Sequence, residues 1–333
     1  MTVNSKDVIE KDYILLDWNV IKYLKKPRGN KNQIDNEAKL IVDSLRRRYE
    51  FPFCEAHLRD LSKSYPSHRD LVDEDLCFLQ SLTHSVALGT KDETGEFMLT
   101  YYDPKKLFNE IVSEPSRTPD ISPDMGPQSS FQVDMQAMDP GNPLYNMLTE
   151  SNGTYNPVVM SNWLNRIYEP FFSEAEPYKV FRNYITSLKR DLENSNSVGL
   201  NVHDLVYKEM LVQRMTPFVN SLEIDNEDDL STIWKDAISE FLRITHPAEI
   251  PFGLLISTAY SMLDFHPLFR EKLKKKNTLS NITRDSNIIY YASSGKYFVT
   301  EDASCLEKAN FIFRAFACRT KALNMIHFVQ KFS

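Results

Sequence analysis

The chain has 333 residues, enough for one large domain or two of ordinary size. Its 42% hydrophobic and 26% charged residues are typical of a soluble globular protein, which we expect to be cytoplasmic. The net charge of −7 argues against general coating of nucleic acid, although a local basic groove is compatible with it. We expect no membrane association, because the longest apolar stretch, Ile250 to Leu263, is interrupted by proline, glycine and hydroxyl residues.

Strands and helices alternate in the first 75 residues. The continuous apolar run Tyr13 to Leu16 predicts a strand covered on both faces, and Phe51 to Cys54 predicts a second short strand. Apolar residues recur at helical spacing between these strands, and two further helices are predicted over residues 57–64 and 71–82.

The pattern changes after residue 75. Residues 85–88 and 97–102 enclose a polar turn with glycine, which predicts a β-hairpin. Residues 114–143 contain six prolines and predict a long loop. From about residue 156 onward the apolar spacing is helical, so we expect a mainly helical insertion over residues 76–280.

Alternation returns near the C-terminal end of the sequence. The predicted elements are a helix over 282–294, a strand over 296–299, a helix over 304–322 and a closing strand over 325–329. We therefore expect a discontinuous α/β domain over residues 1–75 and 281–333. It would have three layers and a mainly parallel central sheet, interrupted by the insertion.

Acidic residues follow two of the predicted strands, Asp17 after the first and Asp302 after the penultimate. The carboxyl ends of parallel strands lie at one edge of a sheet, so these acids should converge. Two more acids lie on helices beside that edge, Asp60 after the second strand and Asp285 at the start of the helix before the penultimate strand. Carboxylates in one crevice repel each other unless a cation lies between them, and their oxygens favour Mg²⁺ or Mn²⁺. This predicts a metal-dependent hydrolase.

The context of these acids resembles the PIN-domain ribonucleases. Asp17-Trp18-Asn19 matches that family's D-x-N after an apolar strand, and Asp60-Leu61 matches an acid before leucine early in the second helix. The other two matches are D-x-x-I-x-x-x-A at residues 285, 288 and 292, and V-T-x-D at residues 299–302. The resemblance covers about residues 11–75 and 281–330.

The resemblance implies that the catalytic and metal-binding residues are Asp17, Asp60, Asp285 and Asp302. Asn19 and Thr300 would orient ligands and phosphate. It also implies a Mg²⁺- or Mn²⁺-dependent endoribonuclease that leaves 5′-phosphate and 3′-hydroxyl ends, with a microbial toxin or defence effector as one setting. RNA is the expected partner, while DNA, an inhibitor protein and a homo-oligomer stay open.

Alternatives remain for several residues. Glu55, one turn earlier, competes with Asp60 for the role of second acid. Asp17 and Asp302 could instead be helix N-caps, and Asp60 and Asp285 simply exposed helix residues. The list of basic candidates for substrate contact is Lys274, Lys275 and the run Lys25-Lys26-Pro27-Arg28, although such runs are usually solvated faces.

Two other functions compete with nuclease activity. One is a PIN-like scaffold that has lost metal and binds RNA or a protein partner. The other, a phosphatase of the haloacid-dehalogenase type, needs an aspartate two residues after the first, where this chain has Asn19.

Overall fold

The structure, a computed structural model, describes residues 8–90, 97–113, 130–138, 145–156, 213–244, 248–270 and 279–333, with the single residues 140, 158, 174, 176, 178, 179, 182 and 246. In chain order its elements begin with β1 (Ile14–Leu16), α1 (Trp18–Lys25), α2 (Asn32–Leu45), β2 (Phe53–Cys54), α3 (Glu55–Ser62), α4 (Arg69–Thr83), β3 (Val86–Thr90), β4 (Phe97–Tyr101) and α5 (Pro104–Ser113). They continue with β5 (Phe131–Gln132), α6 (Tyr145–Glu150), β6 (Thr154–Tyr155), α7 (Glu227–Leu242), α8 (Phe252–Met262), α9 (Leu279–Ala292), β7 (Tyr297–Val299), α10 (Ala303–Ala315), β8 (Lys321–Leu323) and α11 (Met325–Phe332). The predicted mixed α/β class is confirmed.

A parallel sheet joins the two ends of the chain. Its strand order is β1-β7-β8, with Leu16 paired to Val299. Side chains alternate across this sheet: Leu15 and Phe298 face one hydrophobic cluster, whereas Leu16 and Val299 face another. Burial on both faces explains why β1 and β7 are uninterrupted apolar runs.

A second sheet continues from the first. Strands β2 and β3 pair in parallel, and β3 and β4 form the predicted hairpin, which is confirmed. The backbone of Glu50 bridges to the start of β1: Ile14 N–H donates to Glu50 O over 2.9 Å, and Glu50 N–H donates to Asp12 O over 2.9 Å. Strands β3 and β4, predicted as part of the insertion, therefore extend the sheet that contains β2 of the N-terminal segment.

Three predictions about the last 60 residues are wrong. Residues 325–329 form a helix, because Asn324 caps it through His327 N–H and the apolar positions recur at helical spacing. The closing strand comes earlier, at Lys321–Leu323, and α10 ends at Ala315. Helix α9 begins at Leu279, so Asp285 lies in its second turn rather than at its start.

Helices cover the sheet on the side of the insertion. Helix α8 packs against α7 and α9, and Trp234, fully buried, donates its indole N–H to Ala259 O over 3.1 Å. Much of the predicted helical insertion and residues 114–129 of the predicted loop lie outside the described residues, while Phe131–Gln132 in that loop pairs with β6. In the described part of the chain, no helix combines the length and apolar character needed to cross a bilayer.

Candidate active site

Four sequence-distant carboxylates line one cleft of about 400 Å³, at the carboxyl end of the parallel sheet. They belong to Asp17, Asp60, Asp285 and Asp302. Asp17 directly follows β1, and its N–H donates to Val299 O over 2.8 Å, which fixes it beside the end of β7. Asp60 and Asp285 come from α3 and α9, which pack against each other. The structure thus brings together the four acids that the sequence singled out.

Thr300 connects two of these acids. Its fully buried hydroxyl donates to Asp17 Oδ2 over 2.9 Å and accepts from Asp302 N–H over 3.1 Å. Its own N–H donates to Leu323 O over 3.0 Å, so the residue is held by the neighbouring strand. One hydroxyl therefore sets both the orientation of the Asp17 carboxylate and the course of the turn that carries Asp302.

The N-cap alternative applies to Asp302 and not to Asp17. Asp302 Oδ1 accepts the N–H of Cys305 over 2.9 Å, so this carboxylate caps α10 while it lines the cleft. Asp17 occupies the corresponding position before α1, but its side chain makes no capping hydrogen bond. Its carboxylate is turned to Thr300 instead.

Asp60 and Glu55, the two candidates for the second acid, lie on different sides of α3. Asp60 lines the cleft and accepts from Arg284 Nη1 over 2.7 Å. Glu55 is not among the residues that line the cleft, and it pairs with Arg59 Nε over 2.6 Å, one turn along the same helix. Asn19, the other predicted supporting residue, lines the cleft from α1.

His57 connects the end of β1 to the start of α3 and does not line the cleft. The ring is fully buried; its Nε2 lies 2.8 Å from Leu16 O, and its Nδ1 lies 3.1 Å from Cys54 N. Because the Cys54 N–H is a donor and the Leu16 carbonyl an acceptor, the neutral imidazole carries its hydrogen on Nε2. Burial lowers the pKa of His57 to about 4. No local sequence pattern predicts this link between β1 and α3, because His57 and Leu16 are 41 residues apart.

Burial, and after it the crowding of negative charge, raises the pKa values of two of the acids. Burial raises the pKa of Asp17 to about 6, with Asp60 and Asp302 adding to the rise and the Thr300 hydroxyl opposing it. The pKa of Asp285 is raised well above its usual range by burial and then by the charges of Asp17 and Asp302, while Arg284 opposes this rise. Perturbation of this kind is typical of functional sites.

Basic residues border the cleft. Lys22 on α1 and Lys63 after α3 are exposed and line it, as does Arg284. The predicted candidates Lys274 and Lys275 lie outside the described residues.

Residues of the Lys25–Arg28 run form internal ion pairs. Arg28 binds Asp35 through Nη2 over 2.5 Å and Glu301 through Nη1 over 2.6 Å, and Lys25 binds Asp75 over 2.6 Å. Glu301 also accepts from Met325 N–H over 2.9 Å. These contacts fix the segment next to Asp302 to the start of α11.

The donor set of the cleft suits a hard divalent cation. Carboxylate oxygens, with the Asn19 and Ser64 oxygens in the same lining, match the preference of Mg²⁺ and Mn²⁺. Among the described residues of the lining there is no His or Cys pair of the kind that zinc favours. Over the described ranges, however, no three His, Cys, Asp or Glu side chains stand close enough to hold a metal as they are oriented. Asp60 Oδ1 is engaged by Arg284 and Asp302 Oδ1 by the N–H of Cys305, so each of these two carboxylates already has a partner.

Comparison with known proteins identifies no relative: no protein-family model, no curated protein and no solved structure matches the chain. The chemistry of the cleft has to be inferred from its own residues.

Proposed function

We propose that this protein is a Mg²⁺- or Mn²⁺-dependent endoribonuclease of the PIN-like type. The supporting observation is the convergence of Asp17, Asp60, Asp285 and Asp302 on one cleft, from four elements spread over the chain. Carboxylates collected in one cleft repel one another, so their convergence favours a positively charged ligand.

The four aspartates would hold the cation. When bound, such an ion polarises a phosphoryl oxygen and lowers the pKa of a water molecule, as hydrolysis of a phosphodiester requires. Thr300 keeps the Asp17 carboxylate turned into the cleft. Lys22 and Lys63, exposed at the border of the cleft, are placed to attract the phosphates of the substrate backbone.

Cleavage of end-labelled RNA and DNA, with Mg²⁺, with Mn²⁺ and with a chelator, tests this proposal. We expect metal-dependent cleavage of RNA by the wild type and a loss of about 10²-fold or more in Asp17→Asn and Asp302→Asn. Asp43→Asn, an exposed carboxylate of α2 outside the cleft lining, is the matched control and should cleave like the wild type. Equal rates in all four proteins, or cleavage that persists in chelator, would contradict the proposal.

A metal-free scaffold that binds RNA or a protein partner is the second candidate. The observation that favours it is the engagement of Asp60 by Arg284 and of Asp17 by Thr300, which partly compensates the acids without a metal. A scaffold should retain RNA binding in Asp17→Asn and show no metal-dependent cleavage in any variant.

A further inference from the structure

Arg284 lies directly before Asp285 on α9 and extends across the cleft to α3. Its Nη1 donates to Asp60 Oδ1 over 2.7 Å, and its Nη2 donates to Asn281 Oδ1. Both members of the ion pair are partly exposed, 25% for Arg284 and 30% for Asp60. The guanidinium thus lines the same cleft as the four aspartates and is directly bound to one of them, Asp60.

We propose that Arg284 is an internal counter-ion that competes with the divalent cation for Asp60, and that on displacement it binds a phosphate of the substrate. This inference rests on the proposed function, because it assumes a metal at the four aspartates.

The contact between Arg284 and Asp60 is weak enough for a metal cation to replace the guanidinium. A single nitrogen contacts a single oxygen, and a partly exposed pair of this kind is weak. A dication binds a carboxylate cluster more strongly than one guanidinium does, since it carries twice the charge in a smaller volume. In the parts of the chain that are described, no three acids lie at metal-binding distance, and Arg284 holds one of the four, Asp60, in an ion pair.

A displaced Arg284 would remain at the cleft. Its backbone is fixed in the second turn of α9, beside Asp285. A guanidinium presents paired N–H donors that match two phosphate oxygens, which makes it a better phosphate ligand than a carboxamide of similar size. The same side chain could therefore neutralise the site before the metal binds and contact the substrate afterwards.

Calorimetric titration of the full chain with Mn²⁺ tests the competition. We expect Arg284→Gln to bind Mn²⁺ about tenfold more tightly than the wild type, because the competing cation is gone. Arg59→Gln is the matched control: it removes a cation from α3 that pairs with Glu55 outside the cleft, and it should change the affinity less than twofold. In an Asp60→Asn background, Arg284→Gln should have no further effect, since the residue for which the two cations compete is absent.

Cleavage kinetics supply a second readout. At saturating Mn²⁺, Arg284→Gln should raise KM for RNA about tenfold, and Arg284→Lys should restore part of this loss. Circular dichroism and the thermal midpoint establish that each variant is folded.

The outcomes separate the two proposals. Saturable Mn²⁺ binding with equal or weaker affinity in Arg284→Gln overturns the counter-ion role and leaves the metal site intact. No saturable Mn²⁺ binding in any variant, including Arg284→Gln, overturns both the counter-ion role and the proposed function.

Discussion

Thr300 and Asp17 are 283 residues apart in the chain and share a hydrogen bond of 2.9 Å between the threonine hydroxyl and Asp17 Oδ2. The same hydroxyl accepts the Asp302 N–H, so the orientation of two of the four acids depends on one buried oxygen. Because the group is fully buried, water cannot replace it.

Thr300→Val should therefore weaken both the fold and the site. Loss of the hydroxyl leaves the Asp302 N–H without its acceptor, which should lower the free energy of unfolding by about 1–2 kcal/mol. Removing a group that orients a ligand should lower Mn²⁺ affinity or cleavage about 10- to 100-fold. Urea denaturation and Mn²⁺ titration measure the two effects, and Thr300→Ser should retain most of both.

Thr320 supplies the matched control for this substitution. Its buried hydroxyl bonds to backbone carbonyls, including Ala292 O at 2.9 Å and Gly295 O at 2.7 Å, and it does not line the cleft. Thr320→Val should lose comparable stability and keep its Mn²⁺ affinity. If the two valine variants lose the same Mn²⁺ affinity, the effect of Thr300 is one of general stability alone.

Asp17→Asn should stabilise the metal-free protein near neutral pH. The folded-state pKa of Asp17, raised by burial to about 6, exceeds the ordinary value of 3.8, so the folded chain retains a proton that the unfolded chain releases. The contribution of this group is most favourable below pH 3.8 and is lost as pH rises through 6. The upper bound of this contribution to the free energy of unfolding is about 3 kcal/mol, and the partial exposure of Asp17 reduces it to about 1–2 kcal/mol.

Urea denaturation in chelator between pH 4 and pH 8 measures this effect as the difference between Asp17→Asn and the wild type. We expect Asp17→Asn to be the more stable protein at pH 7.5, with an advantage that shrinks toward pH 4. Added Mg²⁺ should raise the thermal midpoint of the wild type and not that of the variant. If the variant is less stable than the wild type at every pH, the ionised Asp17 carboxylate does not destabilise the folded protein.

The parts of the site that follow strands could be predicted from sequence, because a parallel sheet places the residues after its strands at one edge. The positions of Asp17 and Asp302 could be predicted from the apolar runs of β1 and β7 alone. The position of α11 could not be predicted in this way, since a short apolar run fits a strand or a helix until its cap, Asn324, is recognised.

Contacts between distant elements could not be predicted from the sequence. Asp60 lies five positions after Glu55, which puts the two on different sides of α3 at 3.6 residues per turn. Only the packing of α9 decides which side faces the cleft. The contact of Arg284 could not be predicted either, because its partner Asp60 is 224 residues away and no local pattern connects them.

Lys22 and Lys63 should contribute to RNA binding through the phosphate backbone. Both are exposed and line the cleft. Each alanine substitution should weaken binding of single-stranded RNA and reduce the slope of log K against log salt by about 0.7, as expected for one lost phosphate contact. Fluorescence anisotropy in chelator at several salt concentrations measures both quantities without cleavage.

Lys39→Ala, an exposed lysine of α2 that does not line the cleft, controls for the change in net charge. Its salt slope should equal that of the wild type. If all three variants reduce the slope equally, RNA binds by general attraction to the surface and not at this cleft.

His57 should make the folded protein less stable as pH falls, whereas Asp17 makes it less stable as pH rises. Burial lowers its folded-state pKa to about 4, below the ordinary 6.5, so the unfolded chain takes up a proton first. Its contribution to stability is fully present above pH 6.5 and is lost as pH falls through 4, to an extent of about 3 kcal/mol.

The excess stability of the wild type over His57→Gln should accordingly shrink on acidification from pH 7 to pH 4, as followed by urea denaturation. His327→Gln, at an exposed position of α11, is the matched control for the substitution. Because the imidazole bonds to Leu16 O and Cys54 N and does not line the cleft, His57→Gln should lower cleavage without changing the shape of its pH profile. A profile that loses a limb near pH 4 in this variant would mean that His57 exchanges protons with the substrate.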